Sequence, residues 1–566
     1  MYQELINKLS PKPKFNLEWY KDADLYSDGD VEDQMIKMIA ENPPEDYVQA
    51  IHDNYSWPAY YHLTQVRKNV LNWYPFKPDS NVLEIGCGLG AITGVLCDKC
   101  NSVTAVELSK RRATAALLRC RERENLEIIV GNLNDIQFEK KFDYITLIGV
   151  LEYQGRYTNT DNPYRDFLVK IKSLLKPEGT LLIAIENQYG LKYWCGAGED
   201  HTGVPFDGMN QYILTNQGIR TFSKVALKNL VAESGFKHSY FYYPMPDYKL
   251  PTAIYSEQCL PDKENMQDVE YYYSHGRNTL VADEKKIYKD VIENQAFEFM
   301  ANSFLVECSD KEELGEVTFA RLCTDRQRQY QLGTRFKKNG DVEKFPLYQK
   351  EGMEHIKQTV ANEQDLKAHG LEILGSRMED GVLKVDYTEA PTLEELFVNA
   401  CRMGDREQVY ACMDVLCDDL VMSSEEVEPE KNLMFALGIG DRENPEKYGR
   451  IQKRGYIDMI FKNAFYIDGK LHWFDQEWML ENVPARYVLF RTLGTVYFSF
   501  PDINDIVPMD ELIDAYDLRQ CWEDFISLEK LYKGSILDSK HINEGSVIQG
   551  VDMNACVANI KKIMQI

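Results

Sequence analysis

The sequence predicts a doubly wound α/β domain over residues 55–264, preceded by an extension (1–54) and followed by an α+β domain over 285–566. Three observations carry this. Apolar runs alternate with helical periodicity between residues 80 and 187, as expected of βαβ units in a parallel sheet covered on both faces. The first run ends in Glu84-Ile85-Gly86-Cys87-Gly88-Leu89-Gly90, a glycine turn at a strand end. Beyond about residue 265 the alternation stops, and short strands and longer helical stretches take over.

Taken in order, residues 1–50 are polar, with the acidic stretch DADLYSDGDVEDQ between turn residues, and read as an extension or a loose helical cap. SWPAYYHLTQVRKNVLNWYPF spaces its apolar and aromatic residues helically and predicts a helix leading into the sheet. Strands follow at 81–87, 102–108, 126–132, 142–153 and 179–187, with helices at AITGVLCDKC, KRRATAALLRCRERE and PYRDFLVKIKSLL. KHSYFYYPMPD and LPTAIYSEQCL read as a closing antiparallel pair after a helix at 217–234. The boundary falls in polar, Pro-containing SEQCLPDKENMQD. The second domain then shows a helical stretch near 285–303, a long helical region near 393–422, a strand cluster at 456–478 and a mostly helical remainder. The acidic loop SSEEVEPEK (423–431) reads as solvated and mobile.

Composition sets limits. With 566 residues, 44% hydrophobic and 27% charged, the chain can build two to four ordinary globular cores. Its net charge of −26, from 90 acidic against 64 basic residues, opposes tight binding of a phosphate backbone, so no nucleic-acid partner is expected. Among thirteen cysteines, Cys97 and Cys100 have CxxC spacing, but no second pair follows at zinc-site distance, and they read as core thiols on one helix face. No apolar run approaches the ~18 residues of a membrane span, and the first residues lack a signal-peptide pattern. A cytoplasmic protein without a transmembrane segment is expected.

The strand ends supply a candidate site. Gly86, Gly88 and Gly90 let the backbone turn sharply and approach a ligand where doubly wound sheets bind, although such a turn equally suits a dinucleotide. Glu107 closes the second strand beside Leu108, and a carboxylate there accepts both hydroxyls of a ribose. Asn132, with Leu133, closes the third strand beside an adenine edge, and Gly149–Tyr153 close the fourth, at the ligand's other end. Glu84 and Cys87 complete the first turn. Tyr61 and Arg67, on the preceding helix, read either as a core tyrosine and a surface arginine or as a bidentate clamp for a cofactor carboxylate. After the fifth strand comes IENQYGLKYWCGAGEDHTGVPFDG, whose His201 is a candidate base with its pKa raised by Asp200 or Glu199. The other reading is a loop histidine that fixes turns.

The glycine turn, acidic second-strand end, polar third-strand end and terminal antiparallel pair together resemble class I methyltransferases. The resemblance implies a Rossmann-like sheet and S-adenosylmethionine as methyl donor. WPAYYHLTQVRKNVLNWYPF, VLEIGCGLGAITGVL and ENQYGLKYWCGAGEDHTG look like the methyltransferase of bacterial surface-polysaccharide gene clusters, over roughly residues 55–260. That implies a glycan or glycolipid acceptor, and a glycosyltransferase as partner.

In the second domain, Asp458 precedes Asn463 by five residues, and Asp475 follows Asn463 by twelve, in GYIDMIFKN and HWFDQEW. Phosphoryl transfer needs a carboxylate near the attacking hydroxyl and oxygen ligands for Mg²⁺. The spacing resembles the catalytic loop and metal-binding strand of protein kinases and of their aminoglycoside- and sugar-kinase relatives. That resemblance implies a kinase-like fold binding ATP, with Asp458 as base and Asn463 and Asp475 as metal ligands. It also makes Lys344 the phosphate-pairing strand lysine, held by Glu351 or Glu354, and VDYTEAPTLEELF the hinge. The chain departs from the pattern in lacking a glycine-rich phosphate loop. Tyr456 stands where kinases carry His, and Gln476-Glu477 where they often carry Phe-Gly. The pair of domains is similar to O-antigen chain-terminating enzymes of lipopolysaccharide synthesis, in which a sugar is phosphorylated and the phosphate then methylated.

Overall fold

The computed structural model describes residues 2–21, 29–43, 47–215, 217–262, 266, 269, 271–538 and 551–564. The chain divides into two compact units: residues 1–324 with 335–339 and 540–566, and residues 325–334 with 340–539.

The first unit is built on one sheet. In chain order its strands are β1 (Lys14–Asn16), β2 (Asn81–Ile85), β3 (Ser102–Glu107), β4 (Leu126–Val130), β5 (Phe142–Ile148), β6 (Leu175–Glu186), β7 (His238–Met245), β8 (Ala253–Ser256), β9 (Ser303–Ser309) and β10 (Val317–Leu322). They lie side by side as β1-β4-β3-β2-β5-β6-β9-β7-β8-β10. The run from β1 to β6 is parallel, and β9, β7, β8 and β10 continue it antiparallel. Val82, Leu83, Val103, Ala105, Ile128, Ile145 and Leu147 are all essentially inaccessible, because helices on both faces leave no strand face for water. Chain order reverses between β2 and β5. The crevice outside the carboxyl ends of those strands is where such sheets bind ligands.

Three expectations are corrected here. Residues 1–54 are not a loose extension. Lys14–Asn16 adds a strand to the edge of β4, pairing Phe15 with Ile128. Helices Asp30–Glu41 and Tyr47–Asp53 bury Met35, Ile36, Ile39, Tyr47 and Ile51 against Ala115 and Leu118. The boundary near 264–285 is also displaced. Helix Glu284–Glu293 and strand β9 belong to the first unit, and β9 inserts between β6 and β7. The predicted helix before the sheet is broken at Thr64 into Trp57–Leu63, a 3₁₀ turn Gln65–Lys68 and Asn69–Asn72. Cys97 and Cys100 are buried and unbridged, as core thiols should be.

The second unit is α+β. Val342–Pro346, Val382–Val385 and Ser376–Glu379 pair antiparallel, alongside helix Gln349–Ala368. Helices Leu393–Met403 and Arg406–Met422 follow. The first starts on a Thr392/Glu395 capping box and ends at Gly404 in the left-handed region, so both helix ends are satisfied locally. Two small three-stranded sheets contain Ile451–Tyr456 and Lys470–Trp473. Phe397, Met413, Tyr456, Trp473 and Tyr487 share one core. The acidic loop near 423–431 is not simply solvated: Ser423 is buried and Glu426–Val427 forms a short strand. Among the described residues no helix is long and apolar enough to cross a membrane.

Candidate functional site

A cavity of about 410 Å³ opens at the carboxyl ends of β2–β6, lined by the residues that end those strands. Tyr61, Arg67, Glu84, Gly86, Cys87, Gly88, Glu107, Leu108, Asn132, Leu133, Gly149 and His201 all line it. Gly90 does not, and its requirement comes from packing instead. With φ +74°, a Cβ there would lie 2.9 Å from Ala116 Cα, so glycine lets the turn rest on helix Lys110–Arg119, which follows β3. At Gly86 (φ +73°) a Cβ would meet Val150 Cγ2 at 2.5 Å. The turn has space for a ligand only because side chains are missing.

Glu107 holds this turn. Its Oε2 accepts from Gly88 N–H at 2.8 Å and its Oε1 from Ser109 N–H at 3.1 Å. Each oxygen keeps a further lone pair, so the carboxylate can fix the loop and still receive ribose hydroxyls. Asn132 Oδ1 accepts from Asn134 N–H at 2.9 Å, leaving its amide NH₂ as the donor toward a base. Glu84 is buried with its Oε2 unpartnered, and burial pushes its carboxyl up to about 7. Arg67 is not a surface residue. It is 5% exposed, its Nη1 donates to the carbonyls of Tyr248 and Lys249, both at 3.1 Å, and its guanidinium lies over the Tyr61 and Tyr248 rings. These features suit S-adenosylmethionine: a cradle without side chains, an orphan carboxylate oxygen for an ammonium, and a fixed carboxylate for a ribose.

At the far end of the cavity lies a buried ion network. Glu186, ending β6, accepts from Lys249 Nζ and from Tyr248 Oη (3.1 Å) through Oε1, and its Oε2 meets His201 Nε2 at 3.3 Å. His201 Nδ1 meets Tyr153 Oη at 3.0 Å. Burial pulls the imidazole pKa down, but the Glu186 charge and hydrogen bond, with Glu199 and Glu152 behind them, carry it up to about 10. Of the two expected partners, Glu199 contributes and Asp200 does not lead. Asp200 is tied to Lys192, Tyr193 and Ser274, and Glu199 accepts from the backbone N–H groups of His201 and Thr202. Glu186 is the main partner, and His201 is a cation at neutral pH rather than a ready base. Glu152 is 1% exposed, both its oxygens lack hydrogen-bond partners, and burial followed by the Glu186 charge raises its carboxyl to about 8.

Glu186 and Lys249 escaped the sequence reading, and Glu152 enters it only as part of the stretch Gly149–Tyr153 that closes the fourth predicted strand. Glu186 carried a signal, because an acidic residue closing the apolar run LLIAIE repeats the logic of Glu107. Glu152 is likewise the first charge after the fourth apolar run. Lys249 comes from the β7–β8 turn, and nothing local marks it.

In the second unit Asp458, Asn463, Asp475 and Lys344 converge. Lys344 bonds Asp475, and Glu477 at 2.7 Å. It meets neither Glu351, which pairs with Arg328, nor Glu354, which pairs with Lys357. The helix contributes His355 instead, at 3.6 Å from Glu477. Two carboxylates on one turn draw the lysine more strongly than a single, exposed helix glutamate. Asn463 Nδ2 donates to the Asp458 carbonyl at 3.0 Å, leaving its Oδ1 outward of that bond. Asp458 lies 3.6 Å from Arg491, and burial raises its carboxyl to about 6.

Residues 83–183 match a family of methyltransferase domains. A malonyl-[acyl-carrier protein] O-methyltransferase of Priestia megaterium is 29% identical over 118 residues, covering 20% of this chain and 40% of the relative. A ribosomal RNA small subunit methyltransferase A of Malacoplasma penetrans is 33% identical over 76 residues, covering 13% and 26%. Nodulation protein S of Sinorhizobium fredii is 25% identical over 117 residues, covering 21% and 52%. The chain thus spans about half or less of the length of these relatives. Among solved structures, a possible histamine N-methyltransferase of Thermotoga maritima aligns over 47% of this chain and 98% of its own at 14% identity, with a TM-score of 0.28. The matched segment runs from β2 into β6 and includes the glycine turn, Glu107 and Asn132, so the first unit contains an S-adenosylmethionine-dependent methyltransferase domain.

Proposed function

We propose that the chain transfers a methyl group from S-adenosylmethionine to an oxygen of a glycan or glycan phosphate in bacterial surface-polysaccharide synthesis, and that its second unit phosphorylates the acceptor with ATP. The observation carrying the first step is the side-chain-free turn held by Glu107 at the switch point of the sheet. When bound, the cofactor supplies an electrophilic methyl on a sulfonium. The chain's own residues bind and orient it. Glu84 would hold the ammonium, Glu107 the ribose and Asn132 the adenine, with Arg67 and Tyr61 near the carboxylate.

The acceptor end favours an anionic oxygen. His201 carries a proton at neutral pH, and Lys249 adds a second positive charge. Both are paired with Glu186, so the proton decides: a phosphate oxygen needs no base before it attacks, whereas a hydroxyl would require His201 to lose its proton first. In the second unit, Asp475 and Asn463 would supply oxygens of the kind Mg²⁺ takes, and Lys344, bonded to Asp475, would meet the phosphates of ATP. Asp458 would accept the sugar hydroxyl's proton at its carboxylate. A glycosyltransferase handing over the glycan is the expected partner.

A second reading has one observation in its favour: Lys344 is compensated by both Asp475 and Glu477, and no glycine loop precedes it. The second unit would then bind glycan or partner without chemistry. Product mass spectrometry with phosphorylated and unphosphorylated glycan, with and without ATP, separates these readings. Methyl gain on phosphorylated acceptor, and on free acceptor only when ATP is present, supports the coupled sequence. Methyl gain on free acceptor without ATP overturns it.

A further inference from the structure

Glu152, Glu186 and His201 come from three separate segments: the turn after β5, the end of β6, and the loop beyond it. Among the described residues, their donor atoms all lie within 4.8 Å of one another. Glu152 and Glu186 are buried and His201 is partly so, with side chains of Glu186 and His201 at 0% and 7% exposure. Glu186 gives Oε1 to Lys249 and Tyr248, so Oε2 is the oxygen turned toward His201. Glu152 has no hydrogen-bond partner for either carboxylate oxygen. A buried carboxylate left this way is costly unless a cation or donors complete it. The cations beside it hydrogen-bond other carboxylates: Lys249 and His201 pair with Glu186, and Lys192 with Asp200 and Asp247.

We propose that Glu152, Glu186 and His201 form a divalent cation site at the acceptor end of the cavity. Two carboxylates and one imidazole are a borderline oxygen–nitrogen set, suited to Mn²⁺ or Zn²⁺ rather than to Ca²⁺. Bonds of ~2.0–2.2 Å bring donors closer together than 4.8 Å, which small rotations of two side chains achieve. Binding displaces protons held by the donors. Three protein ligands leave coordination positions open toward the cavity, and an acceptor oxygen would take one of them. This role for the ion rests on the methyltransferase reading above; the ion's binding does not. The ion would fix the acceptor oxygen in line with the methyl donor and favour its anionic form.

The test uses the full chain, stripped with chelator and titrated with Mn²⁺ under electron paramagnetic resonance detection. Because Asp475 and Asn463 form a candidate ion site of their own, the background is Asp475→Ala. One bound Mn²⁺ is expected in Asp475→Ala and none in Asp475→Ala/Glu152→Gln, with far-ultraviolet circular dichroism confirming that both fold. His201→Gln in the same background should also lose the signal. Absence of Mn²⁺ binding in folded Asp475→Ala, or its survival in the Glu152→Gln double variant, overturns the site. S-adenosylmethionine binding is followed in the same samples by calorimetry. Its absence from wild-type chain would remove the methyltransferase reading and leave the cation site standing.

Discussion

Gly90 carries two constraints at once, a left-handed backbone and an approach of 2.9 Å by Ala116 Cα to any added Cβ. Gly90→Ala must strain the turn and push helix Lys110–Arg119 away, and each effect has a cost of ~1–3 kcal/mol. We expect a loss of roughly 2–4 kcal/mol in urea unfolding, together with weaker cofactor binding, although Gly90 does not touch the cavity. Glu84 gives a pH signature. Its folded pKa is raised from 4.5 to about 7, so between those values the folded state binds more protons than the unfolded one. The stability Glu84 contributes is complete below 4.5 and declines as pH rises through about 7, by ~1.4 kcal/mol per unit or ~3 kcal/mol in all. Urea titrations at pH 5 and pH 8 should show Glu84→Gln flattening this dependence; an unchanged slope would mean that Glu84 ionises freely in the fold. At this scale the sequence was most legible where a residue ends a strand. Eleven of the twelve expected cofactor residues line the cavity, nine of them because their positions follow from strand ends, with Tyr61 and Arg67 coming from the helical segment before the sheet. The His201 partner was not legible, because the loop that follows β6 folds back to bring His201 onto Glu186 from fifteen residues away, past the nearer Asp200 and Glu199.

Elements explain the larger surprises. β1 is only three residues long, too short to stand out from the polar stretch around it. It is held by pairing to β4 and by Trp19, which packs where a Cβ on Gly131 would lie 2.8 Å away from Trp19 Cβ. Trp19→Ala should therefore cost about 1–3 kcal/mol and raise hydrogen exchange in β4, its paired neighbour. Exchange confined to residues 14–19 would show that the N-terminal segment docks without supporting the sheet. The parallel strands were easy to find because burial on both faces makes them continuous apolar runs. The split of the 57–72 helix was not, since Thr64 keeps the apolar spacing while its side chain caps the next turn.

For the whole molecule, two compact units with separate sites should respond to separate ligands. S-adenosylmethionine at 100 times its dissociation constant adds ~2.7 kcal/mol to whatever binds it. Calorimetry should show one transition rising with S-adenosylmethionine and another with ATP–Mg²⁺, and Asp475→Ala should abolish only the second shift. A single transition moved by both ligands would show that the units unfold together. The insertion of β9 between β6 and β7 sets the order of events during synthesis. β6 is complete by residue 186 and β7 by residue 245, yet the strand that joins them ends at residue 309. Until that stretch clears the ribosome, both neighbours carry unpaired edges that invite association with other chains. A nascent chain stalled at residue 264 would hold the whole glycine turn and still be unable to close its sheet, which makes the emergence of Ser303–Ser309 the step that commits this unit to its fold.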